Sequence, residues 1–590
     1  MNYFAGIVNF DGTKVQESDL IKMKDVVTVY QPKDQQIKTM KNVGFIVYSH
    51  GRLNQGLTGY FESPCKNIFI FADVRIYNTD KIIEQLELDQ KIKNDAELIY
   101  RGYMKWGEDC LDYFVGDFAF ILWDNQNKRL FCARDHFGVR PFYYFMNDNF
   151  LLFSSDLDSM YNTEYIKIIP NLSNLNNFVN GNISSSETFY KNIFRLPQGH
   201  KLNFESGKLD IKRYWYPEQI NIDRNITFSE ASYKFKQLFI KAVQNRTPQN
   251  IKVGAEVSGG LDSSSIYSVV RSGIKNIDLS SFSLRFGDYD CDEGIYISSL
   301  IGSDKTTHHE IDGDKIDYEN NYHLSKIYKM SPHWPIFSTF AMTIPLIEEM
   351  AENEVQIGLT GQGGDQLTTG NWGHLTDMLK TFKWYSLYKC LKIYKNSKKT
   401  IRQAIIPNLF SYKQIQLIRT LLLKQKISVF FRIKQNSSGR HNKYKNITQK
   451  IDIEYFLSDD HALFIDNNPY RLAEKEHGIE FRHPFYDIRL VNFMLSIPWE
   501  YKYNYDDHKI NMRVLFRDAM KGILPEHIRN RRDKAEFSQV IQDQLKTISL
   551  CNIKTHSIVD VIEDQGDLTT NWRKLNGLLW YNNFLNFKKR

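Results

Sequence analysis

Apolar runs in the first two hundred positions are short and of strand length. Asn67 to Ala72, Phe118 to Trp123 and Leu130 to Ala133 each end at turn residues, which predicts a β-rich unit with sheet packed on sheet. Near its end, Arg195-Leu-Pro-Gln-Gly199-His-Lys-Leu202 reads as a turn between extended segments, and Tyr214-Trp215-Tyr216-Pro217 as the exit into a linker. Composition changes near residue 220. Strand-length runs then alternate with helical spacing, which predicts a parallel sheet with helices on both sides. The pattern divides the chain into residues 1–217 and 218–590. Its sharpest instance is the run Val253 to Val257, followed by Ser258-Gly259-Gly260-Leu261-Asp262-Ser263-Ser264. After that loop Ile266, Val269 and Val270 fall at i, i+3 and i+4, and Gly273 sits where a helix stops.

Composition narrows the class without naming a chemistry. At 590 residues the chain is too long for one core, and 42% hydrophobic with 25% charged residues is ordinary for a globular protein. No run of eighteen uncharged apolar residues occurs, and Met1 to Phe10 lacks a basic segment followed by an apolar one, so a cytoplasmic protein is expected. Cys65, Cys110, Cys132, Cys291, Cys390 and Cys551 lie far apart with no CxxC pair, implying reduced thiols rather than a zinc site or disulfide framework. The net charge of +7 is uneven: His374 to Lys450 holds 18 Lys or Arg against Asp377 alone, leaving −10 for the rest. Leu417, Ile418, Leu421, Leu422 and Ile427 interleave that charge at helical spacing, as in basic amphipathic helices. The block reads as a solvated face, or as a docking surface for an anionic partner or a membrane surface; no nucleic-acid-binding module accompanies it.

The strand–loop–helix at Ser258 to Ser264 has the chemistry of a phosphate site. Two glycines allow close backbone approach, and the free N–H groups and positive dipole end of the following helix face an anion. Asp262 beside phosphate implies an intervening divalent cation, so ATP with Mg²⁺ fits the loop. The Gly-Lys-Ser/Thr ending of a Walker A loop and the GxGxxG fingerprint are both absent, which argues against kinase and dehydrogenase chemistry. A ligand-free turn is the competing reading of this string alone.

Five motifs in order carry a resemblance. Ala133-Arg-Asp-His-Phe-Gly-Val-Arg-Pro-Phe-Tyr-Tyr144 resembles the RDxFGxxPLYY signature of the glutaminase domain of asparagine synthetases, and Ser258 to Ser264 resembles that family's ATP loop. Leu359-Thr-Gly-Gln-Gly-Gly-Asp365 is similar to its SGEGADE loop, Phe481-Arg-His-Pro-Phe-Tyr-Asp487 to its RxPFLD, and Arg529-Asn-Arg-Arg-Asp-Lys534 to its RxKxxF-type segment. The resemblance implies a glutaminase-like β-sandwich with helices of the N-terminal-nucleophile type, followed by a parallel α/β ATP-pyrophosphatase domain that adenylates a carboxylate. It further implies that Asp262 and Asp365 hold Mg²⁺ and that Val257, Ser258, Gly259, Gly260, Ser263, Leu284, Thr360 and Gly361 surround ATP. Lys534 and Arg513 would stabilise phosphate and acyl charge, Arg513 standing at the family's lysine in Arg513-Val-Leu-Phe-Arg517-Asp-Ala519. Leu284 is equally read as strand core.

Two departures bear on function. Position 2, a cysteine nucleophile in glutamine-dependent members, is Asn2, whose amide cannot attack glutamine. Where the family has Glu in SGEGAD this chain has Gln362, which cannot act as a base. Together they make the chain resemble lasso-peptide cyclases, macrolactam synthetases whose substrate is a precursor peptide and whose partners are a leader-binding protein and a leader peptidase. An amide ligase using ammonia or a small amine, and a non-catalytic scaffold, are the alternatives. Asp292-Glu293 stays unassigned, as a pair of solvated carboxylates, and His308-His309-Glu310 is expected in a strand with its histidines on opposite faces.

Overall fold

The computed structural model describes residues 2–25, 34–49, 51–53, 56–88, 92–161, 163, 165–182, 184–287, 289–302, 307–315, 340–371, 373–393, 447–458, 461, 469–505, 510–532, 535, 537, 539–540, 543, 573–574, 576–577 and 580–581. Lys534, Leu417 to Ile427 and most of the basic block lie outside them.

Two six-stranded antiparallel sheets form the N-terminal unit. One has Asn2–Asn9 between Val43–Ser49 and Phe150–Ser154; the other has Ile68–Ile76 between Tyr60–Glu62 and Gly116–Asp124, which pairs in turn with Arg129–Arg134. Every residue of Asn2–Asn9 and of Ile68–Ile76 is buried. Both are mostly apolar because both faces are covered; Asp73 and Arg75 are the charged residues of the second. Phe4, Phe45, Phe71, Trp123 and Phe153 fill the space between the sheets, and helices such as Asp95–Trp106 cover the outer faces. The sandwich predicted from the sequence is thus present, layered with helices.

Beyond the capped helix Phe228–Arg246, the second unit is built on a parallel five-stranded sheet. Its order is Thr307–Asp312, Asp278–Arg285, Lys252–Glu256, Ile357–Leu359, Glu480–Arg482. Helices Phe228–Arg246 and Leu261–Gly273 pack on one face through Phe235, Phe239, Ile266 and Val270. On the other, Phe340–Glu352 packs through Leu346, Ile347 and Met350 against Phe282 and Phe481. From Lys252–Glu256 the chain runs first to Asp278–Arg285 on one side and later to Ile357–Leu359 on the other. The crevice above the carboxyl ends of Lys252–Glu256 and Ile357–Leu359 is therefore a switch point, where ligands of open α/β sheets bind.

Buried contacts join the two units. The signature around Arg134 is structural: Asp135 accepts from the N–H groups of Phe137, Val139 and Arg140, shaping a loop that pushes Phe137 against Trp215, Phe456 and Tyr486. Arg75 makes a forked pair with Glu480 (3.2 and 2.9 Å), and Arg140 lies 3.5 to 3.6 Å from Asp73, Glu474 and Glu480. Trp580, fully buried, returns from the far end of the chain to pack tilted against Phe189 and edge-on to Tyr190 of the first unit. Residues after 218 are therefore not confined to the second unit. Among the described residues no helix is long and apolar enough to cross a membrane. Cys110, Cys132, Cys291 and Cys390 are buried free thiols and Cys65 an exposed one.

Candidate active site

A cleft of about 1180 Å³ opens at the switch point. Its floor is the loop between Glu256 and the helix Leu261–Gly273. Gly259 has φ +68°, a conformation glycine adopts without strain, and a Cβ there would meet Tyr296 at 2.7 Å. The Ser263 hydroxyl accepts from the Ser258 N–H (3.1 Å) and lies 2.9 Å from the Ser258 hydroxyl, tying the two ends of the loop together. The second loop, after Ile357–Leu359, lies directly against the first. A Cβ on Gly361 would stand 3.0 Å from the Ser263 nitrogen, and one on Gly364 would overlap the Asp262 carboxylate. Two of its glycines are thus demanded by close approach.

The carboxylates of Asp262 and Asp365 converge on one guanidinium. Arg513 pairs with Asp262, reaches Asp365 at 3.0 Å, and donates from Nε to Thr368 at 2.9 Å. It lies in the left-handed region (φ 64°) immediately before the helix Val514–Ala519, which turns its side chain back towards both loops. Two hard oxygen donors from separate loops within reach of one point are a donor set suited to Mg²⁺ together with phosphate oxygens. Asp262 and Asp365 therefore fit the metal role expected of them, with Arg513 at the same point.

Arginines crowd the cleft, which Arg513, Arg517, Arg529, Arg531 and Arg532 all line. Burial and the charges of Arg513, Arg532 and Arg529 pull the Arg517 guanidinium down to about 10. Such a cluster attracts a polyphosphate. Among the described residues of Arg529 to Lys534, Arg531 contacts the loop: it donates to the Gly259 carbonyl (3.3 Å), pairs with Glu293 and lies over the Tyr296 ring at 3.9 Å. Arg529 is held by Glu526 instead.

Ser258, Gly260, Asp262, Ser263, Gly361, Asp365 and Arg513 all line the cleft. Val257 is buried in the core, Thr360 is buried and hydrogen-bonded to His483 (2.7 Å), and Leu284 packs beside Phe286 and Cys291. Asp292 and Glu293 are not solvated as expected. Asp292 pairs with Arg285 (3.0 Å) and accepts from the Phe286 and Gly294 N–H groups, which with the Arg285 hydrogen bond foremost holds its carboxyl below the usual range. Glu293 is buried on Arg531. His308 contacts Ser281 (2.9 Å) and His309 contacts Glu349 (3.1 Å) from the strand Thr307–Asp312, each in a separate structural contact.

Asn2 is 1% exposed. Its backbone N–H donates to Asp73 (3.3 Å) and its side-chain amide to the Thr58 hydroxyl (2.7 Å), which also accepts from Arg75 (2.8 Å). Asn2 is thus built into the packing beside the Arg75–Glu480 contact.

Family models agree with this architecture. The model described as asparagine synthase matches residues 234–560, and that described as glutamine amidotransferase domain matches residues 4–215. Asparagine synthetase 3 (glutamine-hydrolysing) of Bacillus subtilis is 25% identical over 600 residues, covering 94% of this chain and 91% of that protein. A Methanocaldococcus jannaschii protein assigned to the glutamine-hydrolysing asparagine synthetases is 33% identical over 316 residues, 52% of this chain and 60% of that one. The chain therefore spans less than two thirds of the latter relative. Among solved structures, the B. subtilis glutamine phosphoribosylpyrophosphate amidotransferase with ADP and GMP aligns at 14% identity over 43% of this chain and 60% of that one, with a TM-score of 0.27.

Proposed function

The chain belongs to the asparagine synthase family, and from that premise we propose that it is an ATP-dependent amide ligase that adenylates a carboxylate and joins it to a free amine, ammonia included, releasing AMP and pyrophosphate. The observation that carries this reading is the meeting, in one cleft, of the Ser258–Ser264 loop, the Asp262 and Asp365 carboxylates and the arginine cluster. A substrate carboxylate oxygen attacks the α-phosphorus of ATP and the bond to pyrophosphate breaks. The amine then attacks the acyl carbon and AMP leaves. Mg²⁺ on Asp262 and Asp365 would supply charge neutralisation at the phosphates. The protein itself binds and orients: loop N–H groups and the Arg513 and Arg531 guanidiniums face developing negative charge, the preorganised electrostatics on which such transfers depend.

Asn2 supports an amine that does not arise from glutamine within this chain, since a buried amide hydrogen-bonded to Thr58 offers no nucleophile. A second reading, closure of a macrolactam between an Asp or Glu side chain and the N-terminal amine of a precursor peptide, is favoured by Gln362 and by the cleft's volume, which exceeds the roughly 300–1,000 Å³ typical of small-molecule pockets. A leader-binding protein and leader peptidase would be its partners. ATP–pyrophosphate exchange over a panel of carboxylates, with ammonium or peptide as acceptor, separates the readings. Exchange with L-aspartate and asparagine formation from ammonium support the first; exchange only with a peptide supports the second. Asp262→Ala is expected to abolish exchange, and retained exchange would remove Asp262 from the site.

A further inference from the structure

Gln362 cannot take a proton from the amine, and the attacking amine is present in water mostly as an ammonium ion. Apart from Asp262 and Asp365, three carboxylates of the described residues line the cleft: Glu293, which is paired with Arg531, Asp518, which accepts from the Ser232 hydroxyl, and Glu256. Glu256 is the last residue of the strand Lys252–Glu256 and lines the cleft together with Thr343, Gln362 and Tyr470. Ala255 pairs with Leu359, the last residue of its strand, so Glu256 stands at the sheet's carboxyl edge where the second loop begins at Thr360. Resting on the ligase reading, we infer that the Glu256 carboxylate takes a proton from the ammonium form of the attacking amine.

The surroundings suit the task. Gly254, one pleat below on the same face, carries Phe282 and Val355 so closely that a Cβ there would touch both at 3.0 to 3.1 Å. Phe282, Leu346, Phe481 and Tyr470 continue that apolar floor. Tyr470, from the helix Pro469–His477, hydrogen-bonds the Glu256 carboxyl. Oε1 of Glu256 is shut off from solvent and has no hydrogen-bond partner among the described residues. A carboxylate seated this way gains when an N–H donor arrives. Burial holds the acid up at about 7, with the Tyr470 hydrogen bond opposing, where a general base is most effective near neutrality. The other groups facing this corner do not compete for the proton. Thr343 of Phe340–Glu352 is neutral, His483 is held at about 3 by burial and then by Arg140 and Arg246, and His309 lies beyond the Phe282 ring, stacked on it at 4.8 Å.

In the step, one N–H proton passes to Glu256. The freed lone pair forms the C–N bond, the acyl C–O bond to AMP breaks with its electron pair on AMP, and the second N–H proton leaves to solvent.

The full chain is assayed with the carboxylate found to support ATP–pyrophosphate exchange, comparing ammonium chloride with hydroxylamine, a nucleophile already unprotonated at neutral pH. Glu256→Gln should leave exchange intact, slow amide formation from ammonium on the order of a hundredfold, change hydroxamate formation less than about threefold, and recover as pH is raised. Glu256→Asp should restore part of the ammonium rate with a displaced pH profile. Difference infrared spectroscopy should show a carboxylic-acid band titrating near pH 7 in the wild type and missing in Glu256→Gln. Equal loss with both nucleophiles, or a raised KM for ammonium with an unchanged pH profile, overturns the base role. Wild-type exchange with no carboxylate overturns the ligase reading and this inference with it.

Discussion

Arg513 joins two carboxylates that come from loops more than one hundred residues apart, and this dictates what its removal does. Arg513→Met should cut ATP–pyrophosphate exchange about a hundredfold, or ~2.7 kcal/mol. Arg513→Lys should recover only part, because a point charge does not span both carboxylates as a planar fork does. Unchanged exchange in Arg513→Met would take it out of the chemistry. Glu256 carries a signature in stability as well. Its acid is held above the ordinary 4.5, so the native state binds the proton more tightly than the unfolded chain; the contribution is present at low pH and lost as pH rises through about 7, by at most roughly 1.4 kcal/mol per pH unit. The Tm of Glu256→Gln relative to wild type should therefore increase between about pH 5 and about pH 8, and a pH-independent difference would refute the shift. Gly259 stands out in the sequence as a tight-turn residue, and Asp262 and Asp365 stand out through the loop motifs that hold them. Glu256 and Arg531 do not: Glu256 looks like one polar residue in an apolar strand until Tyr470 and Phe481 are folded over it, and Arg531 is one arginine in a basic run until Glu293 meets it.

Among the elements, the helix Ile447–Phe456 is fixed by the lone acid of the basic stretch. Asp377 accepts from the N–H groups of Ile447 (2.7 Å) and Thr448 (2.8 Å) and from the Thr448 hydroxyl (2.6 Å). Asp377→Ala should destabilise by about 1–2 kcal/mol, the worth of a helix cap, read as a Tm lowered by a few degrees with pyrophosphate exchange retained; an unchanged Tm would show the cap to be idle. From the sequence, Asp377 only interrupted a run of positive charge. Its role depends on residues seventy positions away, which no local pattern encodes. Strands next to the loops were legible for the opposite reason, since burial leaves the mostly apolar runs of Val253 to Val257 and Val355 to Leu359, broken only by Glu256 and Gln356, in plain view.

At the scale of the molecule, Arg75 and Glu480 make the join between the units ionic and buried. Arg75→Met leaves Glu480 short of a charge partner out of water and should lower stability by ~3–5 kcal/mol; the double variant Arg75→Met, Glu480→Met should regain much of the loss. If the losses simply add, measured as denaturation midpoints, the pair is not a coupled contact. The two-unit plan was legible from the change near residue 220, but the return of Trp580 was not, because its partners Phe189 and Tyr190 sit in a different unit. That return sets an order of events during synthesis. About 390 residues must be made after Tyr190 before Trp580 exists, which at 5–20 residues per second is roughly 20–80 s. For that interval the nascent first unit presents an uncovered aromatic surface to the cell, so the window in which a chaperone is needed is set by the tail of the chain rather than by the unit that exposes the surface.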